Sequence, residues 1–301
     1  MRAAASAPVP TGTPVARPRR PIAGRVALYA ALAVAALFFI TPLYIMTVTS
    51  LKSMDEIRQG GIFALPASPS LKAWTAAWSE ACTGLKCTGI SDGFFNSLRI
   101  LVPSVALSIV LGAVTGYALS HRRIRGGNVL FAALLLGAFM PYQVFIYPLV
   151  RLFSAVGIYG SLAGIVLVHV IFGLPVMTLL FRNYYSSLPV DLFKAARVDG
   201  AGFWQIFFYV VLPMSTPALV VAAILQITGI WNDFILGLVF AGRDNLPMTV
   251  LLNNVVNSSQ GEKLYNVNMA ATILTALLPL AVYFLSGRWF VRGIAAGGVK
   301  G

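Results

Sequence analysis

The chain has 301 residues, of which 58% are hydrophobic and only 10% charged, with a formal net charge of +13. An average soluble domain is about 25% charged, so this composition offers too little polar surface to cover a water-soluble fold. Six long runs without Asp, Glu, Lys or Arg (26–51, 100–121, 126–150, 152–181, 200–232 and 264–287) each exceed the roughly 18 residues that indicate a bilayer span, and what lies between them leaves no room for an independent soluble catalytic or nucleotide-binding domain.

The predicted architecture is an all-α membrane protein with six transmembrane helices. With the N-terminus inside and the spans alternating, the cytoplasmic segments hold fourteen basic and two acidic residues, and the outer segments eight basic and seven acidic. That asymmetry is the positive-inside rule, and it predicts that both termini are cytoplasmic. It also accounts for the net charge without nucleic acid: the arginines sit at span ends, and no aromatic-lined basic platform accompanies them.

In chain order, residues 1–25 are rich in Pro, Ala and Arg with no apolar periodicity, and read as a disordered basic cytoplasmic tail. The apolar stretch that follows is longer than a signal-peptide core of about 7–15 residues and lacks a small-x-small cleavage site, which favours an uncleaved first span over a removed leader. Residues 26–92 comprise this span and an outer loop in which Trp74 and Trp78 fall on one helix face. Cys82 and Cys87 lie in the same loop, flanking Gly84. In an oxidising compartment they can close a disulfide across that turn, the alternative being two free thiols.

Residues 93–290 form the predicted five-helix core. Gly112 and Gly116 in the second span are spaced for close approach of two helix backbones. Prolines 42, 103, 141, 148, 175 and 279 interrupt or flank the runs, freeing carbonyls in a way that suits either ordinary bundle packing or a cavity. Tyr142 and Gln143 beside Pro141 are a candidate polar pair at such a kink. Between the fourth and fifth spans, Pro189 and Asp191 mark a helix start and Asp199-Gly200 a helix stop, so a short cytoplasmic helix is predicted over about 189–200. A second, aromatic-rich piece from about Phe203 to Leu212 is expected along the membrane surface.

At the far end of the fifth span, Trp231, Asn232 and Asp233 offer an aromatic face, an amide and a carboxylate, the groups that bind sugar ring faces and hydroxyls; a helix end with an interfacial Trp and a solvated Asp is the other reading. The segment 291–301 reads as a small, flexible cytoplasmic C-terminal tail. No phosphate-binding Gly-x4-Gly-Lys-Ser/Thr loop is present, and His121 and His169 have no companion Cys or carboxylate pattern for a metal, so neither catalysis nor a resident cofactor or metal is expected in this chain.

Ala195-Ala196, Gly200 and Leu212-Pro213 stand at the distances of the pattern E-A-A-x3-G-x9-I-x-L-P, and here the chain resembles the integral-membrane permease subunits of binding-protein-dependent ABC importers. It departs from the pattern at Lys194, where Glu is usual, and at Val210, where Ile is usual. The likeness runs from about Phe95 to the C-terminus. Gly229 to Val239 and the ending Arg288 to Gly301 are similar to the carbohydrate branch, the second permease of maltose-type and glucose/mannose-type systems. The resemblance implies the type I importer permease fold in a bacterial plasma (inner) membrane, and half of a translocation pathway completed by a homologous second permease. It also implies two ATPase subunits that hold ATP and Mg, and an extracytoplasmic solute-binding protein that delivers sugar. Lys194, Ala195, Ala196, Asp199, Gly200, Leu212 and Pro213 would then form the elbow that docks on the ATPase. A permease for a non-sugar solute, and a secondary transporter or channel working without an ATPase, are the alternatives.

Overall fold

The computed structural model describes residues 22–84, 86–121, 124–257 and 263–298, with side chains placed from Gly24 to Gly287. The basic N-terminal tail up to residue 21, Arg122, Arg123, Ser258 and the last three residues lie outside the described residues. Among the described residues all regular structure is helical. In order it comprises α1 (Ile22–Ser50), α2 (Met54–Gln59), α3 (Lys72–Ser79), α4 (Ser91–His121), α5 (Gly127–Phe139), α6 (Gln143–Ala155) and α7 (Leu162–Ser186). There follow α8 (Val190–Val198), α9 (Phe203–Ile206), a π turn (Phe207–Val211), α10 (Leu212–Met214), α11 (Thr216–Trp231), α12 (Ile235–Phe240), α13 (Met248–Val256) and α14 (Tyr265–Gly298).

The described residues up to Ile45 form one unit and those from Met46 onward another. The first is the body of α1, whose apolar side chains point outward, Phe38 and Phe39 each 73% exposed. Outward apolar side chains recur on the second unit, with Phe139 80% and Phe284 78% exposed. In water such faces would form patches far larger than the few hundred Å² a soluble monomer tolerates; against lipid tails they cost nothing.

Four helices are by themselves long and apolar enough to cross a membrane: 24–50, 91–121, 162–186 and 265–287. The third and fifth apolar runs are broken. α5 and α6 meet at 106°, and the α9–α10 segment meets α11 at 76°, so six spans result only if each bent pair counts as one. At the first break Met140 is extended (φ −71°, ψ 137°), the conformation that a following proline imposes. α5 and α6 have 13 residues each, about 20 Å, short of the roughly 30 Å hydrocarbon core. α14 runs on to Gly298, so the backbone of the segment read as a flexible tail is helical to that point.

The longest packed seam of the second unit joins α4 to α7. A Cβ on Gly112 would overlap Met177 Cβ, and one on Gly116 would lie 2.8 Å from both the Arg182 nitrogen and Phe181 Cβ, so the small-residue spacing in α4 is what lets these two backbones touch. At one end of the unit, α2 and α3 fold over α14. Trp78 packs on Phe94 (5.6 Å between centroids), and Trp74 Nε1 donates to Ser50 Oγ at 3.1 Å. Ser53 and Glu56 cap α2 reciprocally (Ser53 N–H to Glu56 Oε2 2.9 Å, Glu56 N–H to Ser53 Oγ 3.3 Å), while the Ala67 N–H donates to Glu56 Oε1 at 2.9 Å. The Ser53 N–H, ahead of the other donors, holds the Glu56 carboxyl below the ordinary carboxylate range.

Candidate functional site

The elbow between α7 and α11 forms as its sequence signals require. Pro189 precedes the first turn of α8, Asp191 lies in that turn and Arg197 in the last, each complementing the helix dipole. The Ala201 N–H returns to the Ala196 carbonyl at 2.9 Å, a closure that needs the left-handed residue at Gly200 (φ +81°). Only Phe193 of α8 is buried; Val190, Lys194, Ala195 and Val198 are exposed, Val198 at 87%. α8 therefore presents an uncovered face. Lys194, the departure from the Glu of the pattern, donates to Asp191 Oδ1 at 3.0 Å on the helix surface, where such a pair contributes little.

The second piece of the elbow is not a plain amphipathic helix. Gln205 Oε1 accepts the Gly202 N–H at 2.7 Å to start it, and the backbone then widens into the π turn that ends at Leu212-Pro213. Pro213 has no N–H for the carbonyl four residues back, and the wider turn accommodates the loss. Tyr184 Oη donates to the Met214 carbonyl at 2.6 Å, fastening this corner to the end of α7.

A groove of about 330 Å³ lies between α7 and α11. His169, Gly173, Gln226 and Asp233 line it together with apolar groups. A Cβ on Gly173 would overlap Gln226 Nε2 and sit 3.0 Å from Ser108 Oγ, so the bare backbone there makes room for the amide and brings the two polar groups together. Ser104 Oγ, Ser108 Oγ and Gln226 Nε2 are buried with no hydrogen-bond partner among the described residues. In a low-dielectric interior such groups are costly unless a polar partner meets them.

The sequence-derived pathway residues do not converge. Trp231 is 1% exposed, its Nε1–H donates to the Thr275 carbonyl at 2.9 Å, and its ring packs edge-on against Phe94 at 5.7 Å. In this conformation it offers no face to a ligand. Asn232 is exposed. The Asp233 carboxylate borders the groove and accepts from the Leu236 and Gly237 N–H groups (3.3 and 2.9 Å), capping α12. α11 ends at Trp231, so Asn232 and Asp233 leave the helix through its cap and do not continue the face that carries the indole. Tyr142 is half-buried against Phe172 (5.8 Å) and Gln143 is exposed beside it. Gln226, Ser108 and Gly173 were not singled out from the sequence, although a Gln in the middle of an apolar helix is a signal that points to the first of them.

A larger groove of about 680 Å³ lies at the end of the unit away from the elbow, between Asp92, Phe95, Asn96 and Arg99 of α4, Arg243 and Asp244 after α12, and the turn at 83–88. Cys82 and Cys87 are joined by a disulfide across that turn. Asn254 Nδ2 donates to the Thr83 carbonyl at 3.1 Å, holding the turn on α13.

Outward apolar faces, several helices of spanning length and buried polar groups lining a groove between helices define a multi-pass integral membrane protein of the transporter class. Residues 108–296 match the family described as binding-protein-dependent transport system inner membrane component, and the chain belongs to that family. It is 36% identical to the osmoprotective compounds uptake permease protein GgtD of Synechocystis sp., over 72% of each chain. Identity to the alpha-glucoside transport system permease protein AglG of Rhizobium meliloti is 38%, covering 72% of this chain and 58% of AglG. It is 30% identical to the glucose import system permease protein GlcU of Saccharolobus solfataricus, over 94% of this chain and 98% of GlcU. A solved chain of a bacterial ABC transporter involved in the import of the acidic polysaccharide alginate superposes with a TM-score of 0.78 at 21% identity, covering 91% of this chain and all of that one. The fold is therefore that of an ABC importer permease.

Proposed function

We propose that this chain is the permease subunit of an ATP-driven sugar importer in a bacterial inner membrane, forming half of the pathway beside a homologous second permease. Family membership together with the uncovered face of α8, closed at a left-handed Gly200, is the observation that carries this reading. α8 docks on a separate ATPase that binds ATP and Mg, and an extracytoplasmic binding protein brings solute to the opposite face. Free energy enters as differential binding of ATP to the closed ATPase pair, so the permease needs a well-held elbow and no catalytic group. Its relatives AglG and GlcU, named for alpha-glucoside and glucose, support a sugar as the solute. The groove between α7 and α11 suits an uncharged, hydroxyl-bearing ligand, since the Gln226 amide that lines it can exchange hydrogen bonds with hydroxyls and Asp233 can accept them.

The test is uptake by the complete reconstituted importer. Transport of a glucoside or glucose, absent without ATP, is expected. Gln226→Leu should raise the half-saturating sugar concentration about tenfold, the worth of one or two hydrogen bonds, with assembly unchanged. Uptake of peptides or polyamines alone would replace sugar with another solute, and ATP-independent transport driven by an ion gradient would remove the importer reading.

Six spans with both termini cytoplasmic complete the proposal, the bent pairs counting as one span each. Reporter fusions at Gly126 and at the C-terminus are expected to read cytoplasmic, and fusions at Gly84 and Ser258 external. A cytoplasmic signal at Gly84 would reverse the orientation.

A further inference from the structure

At the elbow end, α4 finishes in a cluster of rings that docking on an ATPase does not by itself require. Tyr117 and His121 stand four residues apart in its last turns and so share a face. The His121 ring lies 3.7 Å from that of Phe193, tilted by 31°. The Tyr117 ring lies 4.6 Å from Phe203 and 5.3 Å from Phe207, each tilted by 33°, and Tyr117 Oη donates to the Phe203 carbonyl at 3.4 Å. Phe193 is 3% exposed and is the buried residue of α8, so this ring, with the half-buried Ala196 behind it, is how α8 holds to the bundle.

We infer that the His121–Phe193 stack and the Tyr117–Phe203 contact form a clasp that makes α4 move with α8, so that Tyr117, His121 and Phe193 are positioning residues for coupling. This rests on the reading of α8 as the ATPase-docking element and adds the route by which its displacement leaves the elbow. Overlapping ring faces fix the angle and register between two helices; an aliphatic contact of the same area would let them slide. Closely packed elements shift as bodies rather than deforming, and α4 is locked to α7 at Gly112 and Gly116.

α4 then continues for 31 residues, roughly 45 Å, to the opposite end of the unit. There Asn96 Nδ2 donates to the Asp244 and Leu246 carbonyls (3.1 and 3.3 Å), and Ser97 Oγ accepts the Met248 N–H at 2.8 Å. The helix gripped by the clasp is therefore the helix that forms one wall of the 680 Å³ groove. A displacement of α8 reaches the face where the binding protein arrives through a single element.

The test uses the complete importer in proteoliposomes. Phe193→Leu keeps a buried apolar side chain, at some loss of volume, and removes the ring. It should retain the ATPase subunits and their basal hydrolysis, while stimulation by the loaded binding protein falls about three- to tenfold, the range expected for losing one ring pair from the coupling. His121→Leu should do the same, His121→Phe should preserve stimulation, and the double Leu variant should be no worse than either single one. Wild-type stimulation in Phe193→Leu would overturn the clasp. So would equal losses in His121→Phe and His121→Leu, or loss of the ATPase from Phe193→Leu, which would make the ring an anchor only. The docking reading is tested separately by Val198→Cys, whose exposed thiol should cross-link to the ATPase; failure there would remove docking at α8, whatever the stimulation ratios.

Discussion

Gly200→Trp is expected to give a permease that inserts and folds but no longer couples. Gly200 holds φ +81°, where a residue with a Cβ is strained by about 1 kcal/mol, small beside the total stability of a domain. Among the described residues, chain neighbours aside, nothing lies within 4 Å of where that Cβ would be, so an indole at 200 projects outward beside the uncovered face of α8. The purified complex should either lose its ATPase or keep it with hydrolysis unresponsive to the loaded binding protein, and uptake should fall by at least about tenfold. Gly200→Ala separates the two causes: it carries the backbone strain without the bulk, and should retain most of the uptake. Wild-type uptake and stimulation in Gly200→Trp would remove α8 as the coupling element.

Gly112→Leu should abolish accumulation of folded protein. Its Cβ would overlap Met177 Cβ and come within 3.0 Å of the Met177 carbonyl carbon, so backbone as well as side chain must move along the longest seam of the unit. Overpacking a well-filled interior costs about 1–3 kcal/mol where side chains can adjust, and more where backbone is in the way. The same contact makes Gly112→Ala destabilising, whereas Gly137→Ala, at a position in α5 whose Cβ would meet no other described residue within 4 Å beyond its own helix backbone, should be tolerated. Thermal unfolding in detergent distinguishes the pair. Equal stability of Gly112→Ala and wild type would mean that α4 and α7 are not packed at this register.

The elbow was legible in the sequence because its signals are local. Pro189, Asp191 and Gly200 act within one or two turns, through the proline ring, the helix dipole and the left-handed backbone, and α8 runs between them. The spacing of Gly112 and Gly116 likewise marked a face for close approach, though not the helix that fills it. The bend between α5 and α6 was not legible: the run 126–150 counts residues without charge, and a count carries no direction. Pro141 was visible as an interruption, but a 106° turn depends on what the helices on either side pack against.

Trp231 shows the same limit from the other side. An indole next to Asn and Asp at a helix end reads equally as a ligand platform or as core, and only the placement of Phe94 and Thr275, more than 40 residues away in each direction, turns it inward. Composition and local chemistry thus determined by themselves that this chain lives in a membrane, where the elbow helix α8 starts and stops, and which segment forms the elbow, because solvation, caps and prolines act over a few residues. Only the tertiary structure decided that Ser108 and Gln226 meet over the bare backbone of Gly173 and that Tyr117 and His121 grip Phe193 and Phe203, because those contacts join residues 50 or more apart in sequence, whose meeting is set by how whole helices pack.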